Sequence, residues 1–140
     1  MAIVFFEIIP VSLKERKRLK QFIIELLKRE GRPLESLNII FCNDEYLLSI
    51  NKEHLQHDFY TDIITFDLSE TKDGPINAEL YISIERVREN AINLKIASIL
   101  ELHRVIFHGL LHLCGYGDKK KGDILIMRIK EDQYLKMYFR

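Results

Sequence analysis

Two histidines four residues apart inside an apolar run constrain this chain more than any other feature. They lie in Phe107-His108-Gly109-Leu110-Leu111-His112-Leu113-Cys114-Gly115-Tyr116-Gly117-Asp118. On a helix, side chains four apart project from one face, one turn apart. Two imidazoles so placed can grip one metal ion, the arrangement used by HExxH hydrolases. Gly109 occupies the place of the HExxH glutamate, so the general base of a zinc peptidase is absent and the chemistry must differ. Val105, Ile106, Phe107, Leu110, Leu111 and Leu113 make the helix apolar enough to be buried, and buried imidazoles require partners. Gly115 and Gly117 end the helix and permit a tight reversal. Asp118 follows, where its carboxylate can complete a three-ligand set with one open position, the catalytic pattern. The plainer alternative is a pair of packed or surface histidines.

At 140 residues the chain is expected to form a single domain over residues 1–140 with a proper core. No apolar run approaches the roughly 20 residues of a membrane span. The amino-terminal Met1 to Phe6 lacks the basic start and cleavage site of a secretory signal, so a cytoplasmic location without a membrane is expected. Lys and Arg number 21 against 21 Asp and Glu. That balance argues against a generally basic nucleic-acid binder but leaves room for a local basic groove. Lys14 to Lys20 reads as the solvated face of a helix. Lys119, Lys120 and Lys121 adjoin the histidine motif and would draw an anionic substrate such as a phosphodiester. Cys42 and Cys114 lack metal-type spacing and read as reduced core thiols.

Periodicity predicts a strand over 1–9, ending at Pro10, then a helix opened by a Ser12/Glu15 capping box. Its stripe is Leu19, Phe22, Ile23, Leu26 and Leu27, and Gly31 with Pro33 stops it. Leu37 to Cys42 is a second strand, buried on both faces. Asn43 caps a helix carrying Tyr46, Leu47 and Ile50. A polar loop over 54–62 leads to a third strand, Ile63 to Phe66. A turn-rich excursion over 70–77 precedes a half-buried strand in which Ala78, Leu80 and Ile82 alternate with Glu79, Tyr81 and Ser83. Helices follow near 84–93, from a Ser98/Glu101 capping box through Leu113, and over about 121–138. The fold class is therefore α/β (α+β): a single small mixed sheet of about four strands with helices packed on it, the metal site on a buried helix and the following turn.

Taken together, these residues resemble the YbeY family of endoribonucleases, the rRNA maturation factors. The family signature H-G-x-L-H-L-x-G-Y-D-H is met here by H-G-L-L-H-L-C-G-Y-G-D. The segment from Ile50-Asn51 through Thr61 to Phe66 is similar to the family's asparagine-led loop and T-[DN]-V-L-S-F strand. Ala78 to Ser83 resembles its G-[DE]-[IL]-x-[IV]-S strand, and Met127 and Glu131 fit its last helix. The resemblance covers residues from Asn38 to the carboxyl end. Two departures stand out. The family's third histidine falls on Asp118, and the aspartate before it on Gly117. An arginine of the family's loop falls on Leu55. Aspartate is a competent but harder zinc ligand than imidazole, so weaker binding or tolerance of other divalent metals follows. A vestigial site with Asp118 as a solvated turn residue is the alternative.

The resemblance implies metal-assisted hydrolysis of single-stranded ribosomal RNA, with partners among small-subunit ribosomal proteins. His108, His112 and Asp118 are the expected ligands of one zinc ion, or another divalent metal, activating a water. Arg104, one turn before His108, is the expected catalytic cation in place of the missing arginine, against an ordinary salt bridge. Lys119, Lys120 and His57 are expected to contact substrate, with surface roles as the alternative for the histidine. Glu79 is considered as a carboxylate partner for a histidine N–H, against a merely exposed strand residue. Thr61 and Asp62 could order the loop near the site. His103, five positions before His108, lies off its face. Two rival classes remain: a metal-dependent hydrolase of a peptide or amide, and a ribosome-assembly binding factor with a structural or vestigial metal.

Overall fold

The computed structural model describes residues 2–55 and 60–140. Its elements run β1 (Ile3–Glu7), α1 (Arg16–Arg29), β2 (Leu34–Cys42), α2 (Asp44–Leu55), β3 (Ile63–Asp67), β4 (Ile76–Ser83), α3 (Ile84–Leu94), α4 (Ser98–Leu113) and α5 (Lys121–Tyr138). The strands form one mixed sheet of order β1-β2-β4-β3, parallel except for the antiparallel β3–β4 pair. Parallel neighbours need crossover connections, which α1 supplies between β1 and β2. The expected fold class holds.

The main core lies between one sheet face and the helices. Leu19, Ile23, Leu26 and Leu27 of α1, Leu37, Ile39 and Phe41 of β2, and Ala78, Leu80 and Ile82 of β4 meet Val105, Ile106, Phe107, Leu110 and Leu111 of α4 there. Fully burying one such Leu, Ile or Phe stabilises by about 1.5–3 kcal/mol. The opposite sheet face carries a smaller cluster of Cys42, Leu47, Ile50 and Ile64 under α2, flanked by Phe66 and Tyr81. Burial pushes the Cys42 thiol up to about 12, which keeps it an inert core group. Alternation in β4 thus sends Glu79 and Tyr81 towards α2 and Leu80 towards α4.

Several local signals hold. Asn43 caps α2, its Oδ1 accepting from the Tyr46 N–H at 2.8 Å. Gly31 ends α1 with φ 89°. Neither predicted capping box forms. Glu15 has φ 54°, incompatible with the helical third position of such a box, and α1 begins at Arg16 with no side-chain cap. Leu13 is buried ahead of the helix, so packing sets the approach of the chain. At α4 the N-cap is Ala97 and Ser98 is already helical. Glu101 turns into a cleft beside Asp62 instead of reaching back. β2 starts at Leu34, earlier than expected, because Leu34 pairs with Ile76 across a register shift before Ser36.

His103 packs in the core, as its offset from His108 requires. Its ring stacks on Tyr138 at 5.0 Å, Nδ1–H donates to the Ile99 carbonyl at 2.7 Å, and Nε2 is buried without a partner among the described residues. Burial, helped by Arg18, holds it below the ordinary imidazole value of 6.5 although the Ile99 bond opposes this. The unfolded chain therefore takes up a proton near pH 6.5 that the folded chain refuses, and the contribution is lost as pH falls towards the lowered folded value. In urea melts of metal-free protein, wild type is expected to lose stability relative to His103→Leu between about pH 7.5 and about pH 5.5. His108 titrates in both proteins and cancels in the difference. An unchanged difference would show that His103 titrates alike folded and unfolded.

Candidate metal centre

Helix α4 places both histidines. Its apolar face is fully buried, while His108 and His112 lie at the rim, their side chains 23% and 28% exposed. Gly109 allows the close approach. A Cβ built there would lie 2.7 Å from Ile63 Cδ1 and 3.1 Å from Leu80 Cδ2. The place of a peptidase glutamate is thus filled by the sheet. The helix ends in a Schellman motif, with Gly115 N–H donating to the His112 carbonyl, Tyr116 N–H to the Leu111 carbonyl, and Gly115 at φ 101°. That reversal brings Asp118 back over the two imidazoles.

The donor atoms converge. Asp118 Oδ2 lies 3.0 Å from His112 Nε2 and 3.2 Å from His108 Nε2. One ligand atom from each of the three residues falls within 4.8 Å of the others, close enough for a single ion. On the other side of the His108 ring, Nδ1–H donates to Glu131 Oε2 at 2.6 Å. This bond fixes the tautomer and leaves Nε2 as the lone-pair donor facing Asp118, the usual support for a metal-binding histidine. Two nitrogens and a carboxylate oxygen are the donors that zinc and its neighbours accept. The cluster can hold a divalent metal.

Charge reinforces the geometry. Burial opposes ionisation of Glu131, but hydrogen bonds from His108 and Arg104 outweigh it and hold the carboxyl below its ordinary value. Burial likewise raises Asp118, and His112 and His108 reverse this. For His108, burial is overcome by Glu131, Asp118 and Asp62, which raise its pKa. Metal loading must displace that proton, so affinity falls as pH falls. Asp62, by contrast, is pushed up by burial, only partly offset by the charge of His108 and by hydrogen bonds from backbone N–H groups.

Other anticipated residues separate. Lys119 lines a cleft of about 490 Å³ with His108, His112 and Asp118, and Leu55 and Asp62 form parts of its wall. Lys120 is the N-cap residue of α5 and does not line that cleft. Arg104 is one turn before His108, but its guanidinium grips Glu131 at 2.9 Å and Asp132 at 2.7 Å, so it is an ion-paired group and not a free cation. Glu79 is corrected: its carboxylate accepts from Asn38 Nδ2 and the Tyr81 hydroxyl on the sheet face turned from α4. Glu131 is the histidine's partner instead. His57 lies outside the described residues. Sequence reading matched Glu131 to the family's last helix without giving it a role, although a lone carboxylate on the buried face of α5 is the available signal.

Two histidines on a helix and a carboxylate from the following turn, converging in one cleft, make a site of the metal-dependent hydrolase type. The family model for "Endoribonuclease YbeY" matches residues 7–138. An endoribonuclease YbeY of Cytophaga hutchinsonii is 47% identical over 134 residues, covering 95% of this chain and 92% of the relative. One from Porphyromonas gingivalis is 45% identical over 139 residues, covering 98% and 91%. A Thermotoga maritima protein solved in solution superposes with a TM-score of 0.67 at 27% identity, covering 98% of this chain and 89% of that one. The chain belongs to the YbeY endoribonuclease family.

Gly109→Glu restores the letters of the peptidase motif but drives a carboxylate into Ile63 and Leu80. It is expected to destabilise by about 3 kcal/mol or more in thermal or urea unfolding; a wild-type melt would contradict the close packing. Glu131→Gln retains shape and removes charge. Metal affinity is expected to fall by about 10–100-fold in competition with a chromophoric chelator, and equal affinity would remove Glu131 from the site's support.

Proposed function

We propose that this chain works as one catalytic domain, a zinc-dependent endoribonuclease that hydrolyses phosphodiesters in single-stranded regions of ribosomal RNA during ribosome maturation. The observation that carries the reading is the convergence of His108 Nε2, His112 Nε2 and Asp118 Oδ2. Membership of a family described as endoribonucleases supports the substrate class. A zinc ion, when bound, polarises phosphoryl oxygens and makes water acidic enough, with a pKa near ~7, to attack at neutral pH.

The chain's own residues supply the rest. Glu131 holds His108 in its ligand tautomer, and Arg104 holds Glu131, so the guanidinium acts on the site through that carboxylate. Lys119 stands in the cleft where the substrate's phosphate charge needs an offset. Lys120, adjoining Lys119 in sequence, and His57 complete the proposed substrate contacts. Asp62, half-buried beside the ligands and raised in pKa, is suited to carry a proton near the reacting phosphate. At the position of the family arginine, Leu55 gives the cleft an apolar wall, so phosphate recognition falls to Lys119. Small-subunit ribosomal proteins and a cytoplasmic location belong to the same reading, since the substrate is found there. Among the described residues no single helix is long and apolar enough to cross a membrane.

Asp118→Ala is expected to lose its zinc, measured by elemental mass spectrometry on untagged protein. Cleavage of single-stranded RNA should fall by about 100-fold or more, since groups one bond further from a metal already cost 10–100-fold. Full cleavage by the variant would overturn the proposal. Cleavage of peptides by wild type, with none of RNA, would point to a different hydrolase.

A further inference from the structure

The end of α1 reaches both limbs of the metal centre. Glu30, its C-cap residue, has a side chain only 9% exposed although it is charged. Its Oε1 accepts from the Tyr116 hydroxyl at 2.7 Å, and its Oε2 from Lys130 Nζ at 3.0 Å and from the Tyr134 hydroxyl. Burial opposes ionisation, yet these three donors hold the carboxyl below its ordinary value, so it stays charged. Two residues on, Arg32 donates from Nη1 to the Leu113 carbonyl at 2.6 Å, at the last turn of α4. The same guanidinium pairs with Asp67 at 3.2 Å and bonds the Gly74 carbonyl at 3.0 Å.

These partners are placed unequally along the chain. Tyr116 stands between Gly115 and Gly117, two residues before Asp118, and is the one bulky side chain of the reversal. Glycines on both sides leave that segment with the most backbone freedom to lose, so an anchored phenol restricts it strongly. Lys130 and Tyr134 flank Glu131 on α5. One carboxylate therefore ties the segment carrying the third ligand to the helix carrying the partner of the first.

We propose that Glu30, clamping Tyr116 to Lys130 and Tyr134, is a positioning residue of the metal centre that fixes Asp118 relative to His108 and its partner Glu131. The inference rests on the metal-site reading above. The loss of one such anchor moves a ligand without removing it. Tyr116→Phe, which keeps the ring and removes the hydroxyl, is therefore expected to bind zinc about tenfold more weakly, the low end of the effect of groups that orient ligands. At saturating cobalt(II) it should also show a changed visible absorption spectrum, because ligand geometry sets those bands.

The experiment compares untagged wild type, Tyr116→Phe and Ile23→Val, using zinc competition titration and cobalt(II) spectra, with the melting temperature of each metal-free protein. Ile23 is a fully buried residue of α1, seven positions before Glu30 and making none of its hydrogen bonds, so its variant reports general destabilisation of the same helix. Weaker zinc binding and an altered cobalt spectrum in Tyr116→Phe, with Ile23→Val unchanged in both, support the clamp. Wild-type affinity and spectrum in Tyr116→Phe overturn it, and so does an equal change in Ile23→Val, which makes the effect one of stability. If wild type takes up neither metal, the metal-site reading fails and the clamp falls with it.

Discussion

Helix α4 meets β3 and β4 with no room for a side chain at Gly109, where Ile63 and Leu80 fill the space a Cβ would take. This contact sets the rotation of the helix about its axis. With Phe107, Leu110 and Leu111 turned inward, His108 and His112 must emerge along one edge of the buried face. The histidines are therefore held by a rigid, packed element, while their Nε2 atoms face an accessible cleft. Such a site combines precise placement with access for substrate.

Around that helix, charge is arranged in relay. Asp132 and Glu131 hold Arg104, Glu131 holds His108, and Asp118 spans the two imidazoles. Each carboxylate lies against a cation or an imidazole, and for the buried Glu131 those partners offset the cost of burial. Asp118 adds a carboxylate oxygen, and with it one negative charge, to the two imidazole nitrogens of the donor set. Two nitrogens and a carboxylate oxygen are donors that divalent metals accept.

Much of this was legible in the sequence. The order of strands and helices, the stripe of α1, the Asn43 cap and the ligand trio all follow from spacing. The two capping boxes failed because a four-residue pattern offers only a few favourable hydrogen bonds: burial of Leu13 sets the approach to α1, and at α4 the N-cap falls on Ala97, one residue before Ser98. Glu79 is more instructive. Strand alternation already put Leu80 and Glu79 on opposite faces, and with Leu80 packed beneath α4 in the structure, Glu79 faces away from the histidines. Its residue type suggested a role that its parity forbade. Glu131 shows the reverse, a carboxylate on a buried helical face with Met127, Tyr134, Leu135 and Tyr138.

The sequence by itself determined the helix, its glycine-ended reversal and the His108, His112 and Asp118 donors, because the helix obeys local periodicity and the donors with the reversal lie within eleven residues. Only the tertiary structure decided what those donors face. Glu131 comes from a helix beyond the reversal, Glu30 and Arg32 from the far end of α1, and Ile63 and Leu80 from two strands of the sheet. No spacing rule links residues so distant in the chain. They meet because burying the apolar faces of α1 and α4 on the sheet, and that of α5 against α4, brings their polar groups within reach of one another.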